Sequence, residues 1–474
     1  MTLPAKFVER VLRDLGETEG AALCAALDAE PPVSVRLNPA KTGAETVSAG
    51  PDAGLPVPEA AGLPALAIAG RVPWSRDGRY LAVRPSFTLD PDFHAGAYYV
   101  QEASSQFVGH LLAAVRTEGA RILDLCAAPG GKTTLYASLA GPDGLVVANE
   151  IDRRRASVLA DNVRKWGTGN VAVTTCEPRA LGDFEAWFDV VAVDAPCSGE
   201  GMFRKDPDAR GEWSEGNVKQ CAARQDEILR EAWRALRPGG TLVYSTCTFN
   251  RDEDEGALER MAAWAGDEIA ESEETAVEDA WGIVCGRVGA FRTFRFYPHR
   301  TCGEGFFAAV ARKSFDAGGR VRAPKARRTV FAAVDRKTAG ELARWVRNPG
   351  GMHFAAVADT CYAWYAAQAD AVRTLSEALP VIYSGVALGQ VFKGVLKPDP
   401  ALAFFDGMNR GALPAAELDD EETLRFLRRQ DIAAGGLAEG MNLVCSRGRA
   451  LGFAKRIGAR VNNLYPSSLR IIKQ

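Results

Sequence analysis

Between Arg121 and Thr246 the chain repeats one pattern: an apolar run of strand length, then a segment of helical period. The runs RILDLC, LVVAN, VAVTT, DVVAVDA and TLVYST alternate with TTLYASLA, RRASVLADNVRKW and QDEILREAWRAL. Strands that are apolar at nearly every position must be covered on both faces, and helices between them do the covering. The pattern therefore predicts a Rossmann-like, doubly wound α/β domain around a parallel sheet. Ligands of such sheets bind beyond the carboxyl ends of the strands, so the turns that follow the runs are where chemistry is expected.

At 474 residues the chain exceeds one ordinary domain. Residues 1–95 read as an N-terminal α+β extension, with one or two amphipathic helices in residues 1–30 and loops around short strands in the Pro/Gly/Ala-rich stretch from Ala40 to Gly70. The α/β domain is expected over 96–312, a basic linker over 313–328, a small connecting domain over 329–385 and a small, mostly β domain over 386–474. The 57 Lys and Arg nearly balance the 60 Asp and Glu, but they are unevenly spread. Arg312 to Arg328 holds seven bases against Asp316 alone, and no acid follows Glu439, where Arg447, Arg449, Lys455, Arg456, Arg460, Arg470 and Lys473 lie. Either zone could meet polyphosphate or be a solvated face. The ten cysteines form no CxxC, the closest pair being Cys285 and Cys302, so a zinc ribbon or redox dithiol is disfavoured and no metal is expected. No segment reaches the length of a membrane span and the N-terminus lacks a signal-peptide core, which predicts a cytoplasmic protein.

Three turns carry chemistry. DLCAAPGGKTT, from Asp124, follows a strand and opens a helix, where free N–H groups, a helix dipole and glycines that allow close approach favour a nucleotide-like ligand. It departs from the phosphate-loop pattern GxxxxGK[ST] by Cys126 in place of the first glycine, which leaves an NTPase as a rival. Glu150, at the end of the next strand and about twenty residues on, stands where an acid takes ribose hydroxyls, with Arg155 a turn further and Glu177 after the third strand. DAPCSGEGMFRK from Asp194 and STCTF from Ser245 end the fourth and fifth strands, so Cys197 and Cys247 should face the same crevice as the glycine loop. Each lies among small or polar residues, a setting in which thiolates react.

These runs, together with HAGAYYVQEASSQ and YPHRTCGEGFFAA, resemble the RsmB/RsmF/NSUN family of S-adenosylmethionine-dependent RNA cytosine-5 methyltransferases over roughly residues 90–312, and VRLNPAK, from Val35, resembles that family's N-terminal arm. GVALGQVFKG and GFAKRIGARVNNLYPSSLR resemble the PUA-like part of the RsmF branch, whose substrate is small-subunit ribosomal RNA. The resemblance implies a class I methyltransferase domain, S-adenosylmethionine as cofactor, and structured RNA as partner, 16S rRNA or the small ribosomal subunit before tRNA. It places cofactor contacts on Cys126, Ala127, Ala128, Pro129, Gly130, Gly131 and Lys132, and on Glu150, Arg155, Glu177 and Asp194.

Cytosine carbon 5 is a poor nucleophile until a thiolate adds to carbon 6, and the methylated adduct needs a base to lose its proton. Residues alone leave open which cysteine attacks: DNA cytosine-5 enzymes would assign attack to Cys197, whereas the RNA family assigns it to Cys247 and release to Cys197. The family also implies Asp194 on the amidine edge of the base and Lys132 beside it. His299 is read as a structural hydrogen-bonding residue. A monomer is expected. A ribosome-assembly factor that keeps the fold as a scaffold is the non-enzymatic alternative.

Overall fold

A computed structural model describes residues 2–43 and 63–472, so much of the loop stretch expected between Ala40 and Gly70 lies outside the described residues. The chain opens with helices Ala5–Leu15 and Glu17–Ala26, the first burying Phe7 and Val11, one turn apart, on its inner stripe. Four short strands follow, β1 (Val33–Leu37), β2 (Ile68–Arg71), β3 (Gly78–Leu81) and β4 (Tyr98–Val100), in the antiparallel order β2-β3-β1-β4. From β1 the buried Arg36 donates to Gln101 Oε1 at 2.7 Å and to the Gly131 carbonyl at 3.1 Å, its guanidinium lying 4.5 Å from the Trp166 ring centroid. The N-terminal unit thereby grips the glycine loop directly.

The five predicted strands form as β5 (Arg121–Asp124), β6 (Leu145–Asn149), β7 (Val171–Thr174), β8 (Phe188–Asp194) and β9 (Leu236–Thr246), parallel in the order β9-β8-β5-β6-β7. Ile122, Leu123, Val146 and Val147 are wholly buried, as strands covered on both faces must be. The intervening helices show readable starts and stops. Arg153–Trp166 begins where Asp152 accepts from the Arg154 and Arg155 N–H groups, and it ends at Gly167 with φ +87°. Strand order reverses between β5 and β8, which makes the carboxyl ends of these two strands the crevice. Antiparallel strands Phe306–Lys313, Phe291–Phe296 and Val284–Val288 extend the sheet beyond β9.

The expected division at 385/386 does not follow the elements. Val381–Ser384, placed in the connecting domain, instead pairs antiparallel with β7 and so belongs to the central sheet. The next strand, Val386–Phe392, joins Ala332–Ala333, Met352–Val357, Thr360–Tyr365 and Val395–Pro398 in a second sheet that crosses the boundary. Apolar runs carry no signature of the sheet they will join, and the edge of β7 presents N–H and C=O groups that a further strand can pair. A separate four-stranded sheet begins at Ala415.

Three cations of the basic tail turn inward rather than to solvent. Arg447 pairs with Asp90 (3.2 Å), Asp92 (2.9 Å) and Asp420 (2.9 Å), Arg449 with Asp92 at 2.8 Å, and Arg456 donates to the Leu437 carbonyl at 2.6 Å. Arg447 and Arg449, through Asp90 and Asp92, dock the terminal unit onto the N-terminal one. Asp92→Ala removes the acid that Arg447 and Arg449 share and should cost up to about 3 kcal/mol, the scale of breaking a buried pair. Faster proteolytic cleavage within 405–414 is the expected result, and an unchanged cleavage rate would remove these pairs from the docking role.

Candidate active site

Side chains hold three carbonyls of the loop Cys126–Lys132. Ala128 O accepts from Arg155 (3.2 Å), Pro129 O from Asn162 (2.9 Å) and Tyr99 (3.2 Å), Gly131 O from Arg36, and the Ala127 N–H donates to Asn149 O at 2.8 Å. Gly130 sits at φ +111°, and a Cβ there would come within 3.0 Å of Leu159, so the loop needs glycine both for conformation and for space. Glu150 is buried at the end of β6, 3.3 Å from Arg155 and accepting from the Asp152 N–H at 3.0 Å. Glu177 is exposed, directly before the short helix Pro178–Gly182. Cys126 is pushed up by burial, with Asp124 adding to the shift, so it stays a neutral thiol.

The two carboxyl-terminal loops of β8 and β9 are zipped together. Cys197 Sγ lies 3.3 Å from Cys247 Sγ, the distance of a hydrogen bond between two free cysteines. Around them, Ala195 N–H donates to Ser245 O (2.8 Å), Gly201 N–H to Cys247 O (2.9 Å) and Ser198 Oγ meets Thr248 Oγ1 at 3.0 Å. Lys132 Nζ pairs with Asp194 at 2.8 Å, and Ser245 Oγ donates to the other Asp194 oxygen at 2.7 Å. Burial would lower the Lys132 pKa, but Asp194, and Cys247 behind it, hold it above its ordinary value. Cys197 is raised by its hydrogen bond to Cys247 first and by burial second, so it keeps its proton beside that sulfur. The structure thus brings Lys132, Asp194, Cys197 and Cys247 together, with the glycine loop and Glu150 on the neighbouring strand ends. His299 meets Glu19 of the second helix at 2.9 Å.

Sequence reasoning missed three acids. Glu200 is fully buried and accepts from Arg10 (2.6 Å), Trp213 Nε1 (2.9 Å) and the Phe249 N–H (3.1 Å), tying the first helix to both cysteine loops. Glu253, also fully buried, accepts from the Ser198 N–H at 2.8 Å, next to Cys197. Asp124 accepts from Thr133 Oγ1 at 2.6 Å, while its Oδ1 is buried without a partner. Glu200 and Asp124 stand inside the recognised motifs; Asp124's partner Thr133 lies in the same run, whereas Glu200's partner Arg10 lies 190 residues away, beyond any local pattern.

Burial pushes both Asp124 and Glu253 up to about 7. The folded chain then binds protons that the unfolded chain releases, so stability falls as pH rises from about 4 to about 7 and levels off above. Glu253→Gln should flatten its share of that fall, about 3 kcal/mol at most. Urea unfolding at pH 5 and pH 8 measures it; an identical pH dependence in both proteins would exclude Glu253 as the source.

The donor set suits S-adenosylmethionine: a dipolar glycine loop for the amino-acid part, a buried acid at the end of β6 for ribose hydroxyls, and the unsatisfied Asp124 oxygen facing that end of the sheet. Comparison with known proteins agrees. The profile of the 16S rRNA methyltransferase RsmB/F matches residues 111–312, that of the N-terminal domain of RsmF residues 3–103, and that of the RsmF PUA domain residues 414–471. Ribosomal RNA small subunit methyltransferase F of Shewanella loihica is 31% identical over 418 residues, covering 84% of this chain and 83% of that protein. Its Escherichia coli (strain SE11) counterpart is 32% identical over 424 residues, with 84% of each covered. A methyltransferase homolog protein from Pyrococcus horikoshii superposes with a TM-score of 0.52 at 26% identity, over 65% of this chain and 94% of that one. Family profiles over all three regions, and relatives matched along most of both lengths, place the chain in the 16S rRNA methyltransferase RsmB/F family, on its RsmF branch.

Proposed function

We propose that the chain methylates carbon 5 of a cytosine in small-subunit ribosomal RNA, with Cys247 as nucleophile and Cys197 as the base that ends the reaction. The observation that carries this reading is the pair of cysteine sulfurs 3.3 Å apart at the adjacent ends of β8 and β9, beside the Lys132–Asp194 pair. S-adenosylmethionine, when bound, supplies an electrophilic methyl group.

Cys247 as thiolate forms a bond to carbon 6, and the displaced π electrons make carbon 5 nucleophilic. Asp194, positioned by Lys132 at 2.8 Å, accepts a hydrogen bond from the amidine edge as charge moves into the ring. Once Cys247 is a thioether it carries no charge and accepts the Cys197 proton only weakly, which removes part of what raises Cys197. Cys197, its own proton released to water, then removes the proton on carbon 5; the electrons of that C–H bond restore the double bond and expel the Cys247 thiolate. A stacked base shields carbon 6, so the cytosine must be flipped or unpaired.

Glu150, Arg155 and the loop Cys126–Lys132 are read as the cofactor cradle, Glu177 as its outermost contact. Among the described residues no helix is long and apolar enough to cross a membrane. The reading takes the chain as a monomer working in the cytoplasm, where ribosomal RNA is available.

Bisulfite mapping of ribosomal RNA from cells with and without the gene tests the function; no cytosine whose protection depends on the gene would overturn it. For the cradle, Glu150→Ala should weaken S-adenosylmethionine binding by about 1 to 3 kcal/mol, the scale of lost charged hydrogen bonds, and leave RNA affinity nearly unchanged. Calorimetry on the folded variant decides.

A further inference from the structure

The two basic zones of the sequence have opposite fates. In the tail, Arg447, Arg449 and Arg456 are engaged within the protein. In the segment after strand Phe306–Lys313, Arg320, Arg322, Lys325 and Arg327 are exposed, and among the described residues none of the four side chains has an ion-pair or hydrogen-bond partner. Two apolar side chains in the same segment also face water, Phe315 at 71% and Val321 at 63% exposure. Cations interleaved with exposed apolar groups suit a nucleic-acid backbone with unstacked bases.

The segment has no helix or strand from Ser314 to Val330, yet it is fastened. The Arg322 N–H donates to Glu185 O at 3.0 Å and the Arg327 N–H to Glu377 O at 2.9 Å. Arg328 donates to Leu379 O at 2.9 Å. The main chain is thus pinned while four side chains point away unpaired, so the ordering cost of binding is partly met in advance. Glu185 lies just before β8, at the end opposite Asp194. The strap is therefore separated from the cysteines by the length of that seven-residue strand, roughly 23 Å at 3.3 Å per residue.

We propose that this strap, residues 314–328, is a second RNA-binding surface, which holds the phosphate backbone of the ribosomal RNA substrate behind the sheet while the target cytosine enters the crevice in front. It rests on the reading that the chain methylates ribosomal RNA. An RNA too short to reach around the domain would gain nothing from it, whereas a folded ribosomal RNA would.

The test is a fourfold variant, Arg320→Gln, Arg322→Gln, Lys325→Gln and Arg327→Gln, in the full chain. It is compared with the unaltered chain on 16S rRNA or small subunits, whichever the unaltered chain methylates. Each lost phosphate contact lowers the slope of log affinity against log salt by about 0.7 to 0.9, so the variant's slope should be shallower by about 3. KM should rise at least about tenfold while kcat and cofactor binding hold, since four lost contacts weaken ground-state and transition-state binding alike. A slope and KM equal to those of the unaltered chain would overturn the proposal and leave the strap a solvated face. Failure of the unaltered chain to methylate either RNA would instead overturn the reading on which it rests. A second variant, Arg320→Lys, Arg322→Lys, Lys325→Arg and Arg327→Lys, keeps the charge and should restore the slope; a slope that stays shallow would mean that charge is not the cause and would overturn the proposal.

Discussion

Cys197→Ala is expected to leave the enzyme covalently attached to its RNA. With the closing base removed, the adduct through Cys247 forms and accepts methyl but cannot lose the proton on carbon 5, so turnover stalls after one event. Cys247→Ala should abolish methylation, with a loss beyond the 10²- to 10⁴-fold typical of a single proton-transfer group, and should form no adduct at all. Denaturing gels of each variant with ribosomal RNA and cofactor distinguish the roles. A denaturant-resistant band from Cys247→Ala but not from Cys197→Ala would invert the assignment.

Glu200→Ala should have the next largest effect, although Glu200 need not touch substrate. Its carboxylate is the common acceptor for Arg10, Trp213 and the Phe249 N–H, and removal leaves a cation and two donors unsatisfied in a buried place. The cost is about 3 to 5 kcal/mol of local stability. More specifically, the Cys247 loop loses one of its ties to the Cys197 loop, so adduct formation should slow on the order of a hundredfold, the scale of a displacement of about 1 Å. Glu200→Gln keeps one acceptor and should recover part of the adduct rate; Arg10→Ala should lower it from outside the catalytic domain. An adduct rate unmoved in Glu200→Ala, measured at a temperature where cofactor still binds, would confine Glu200 to folding.

How much of this was legible depends on how local each cause is. The five parallel strands announced themselves because full burial makes an apolar run, and the crevice followed from where such runs end. Cys197 and Cys247 could be brought to one crevice by that argument, but not to hydrogen-bonding distance, because their spacing depends on how the loops after β8 and β9 are zipped. Arg447 and Arg449 were visible only as charge. Their partners Asp90 and Asp92 lie more than 350 residues earlier, so pairing could not be read from the tail. The strand Val381–Ser384 was legible as a strand, yet its choice of β7 over its own neighbours is a tertiary fact.

That choice bears on how the chain can be divided. β7 stands at the border of the parallel sheet, with a row of N–H and C=O groups that Val381–Ser384 satisfies from outside the catalytic region. A fragment ending at residue 312 would keep the glycine loop, both cysteines and the strands that hold them, and would still bare that row. Exposed borders of this kind recruit strands from other molecules. The solubility of the catalytic unit is thus written about seventy residues downstream of it, and the segment that looks like a spacer acts as a guard against self-association.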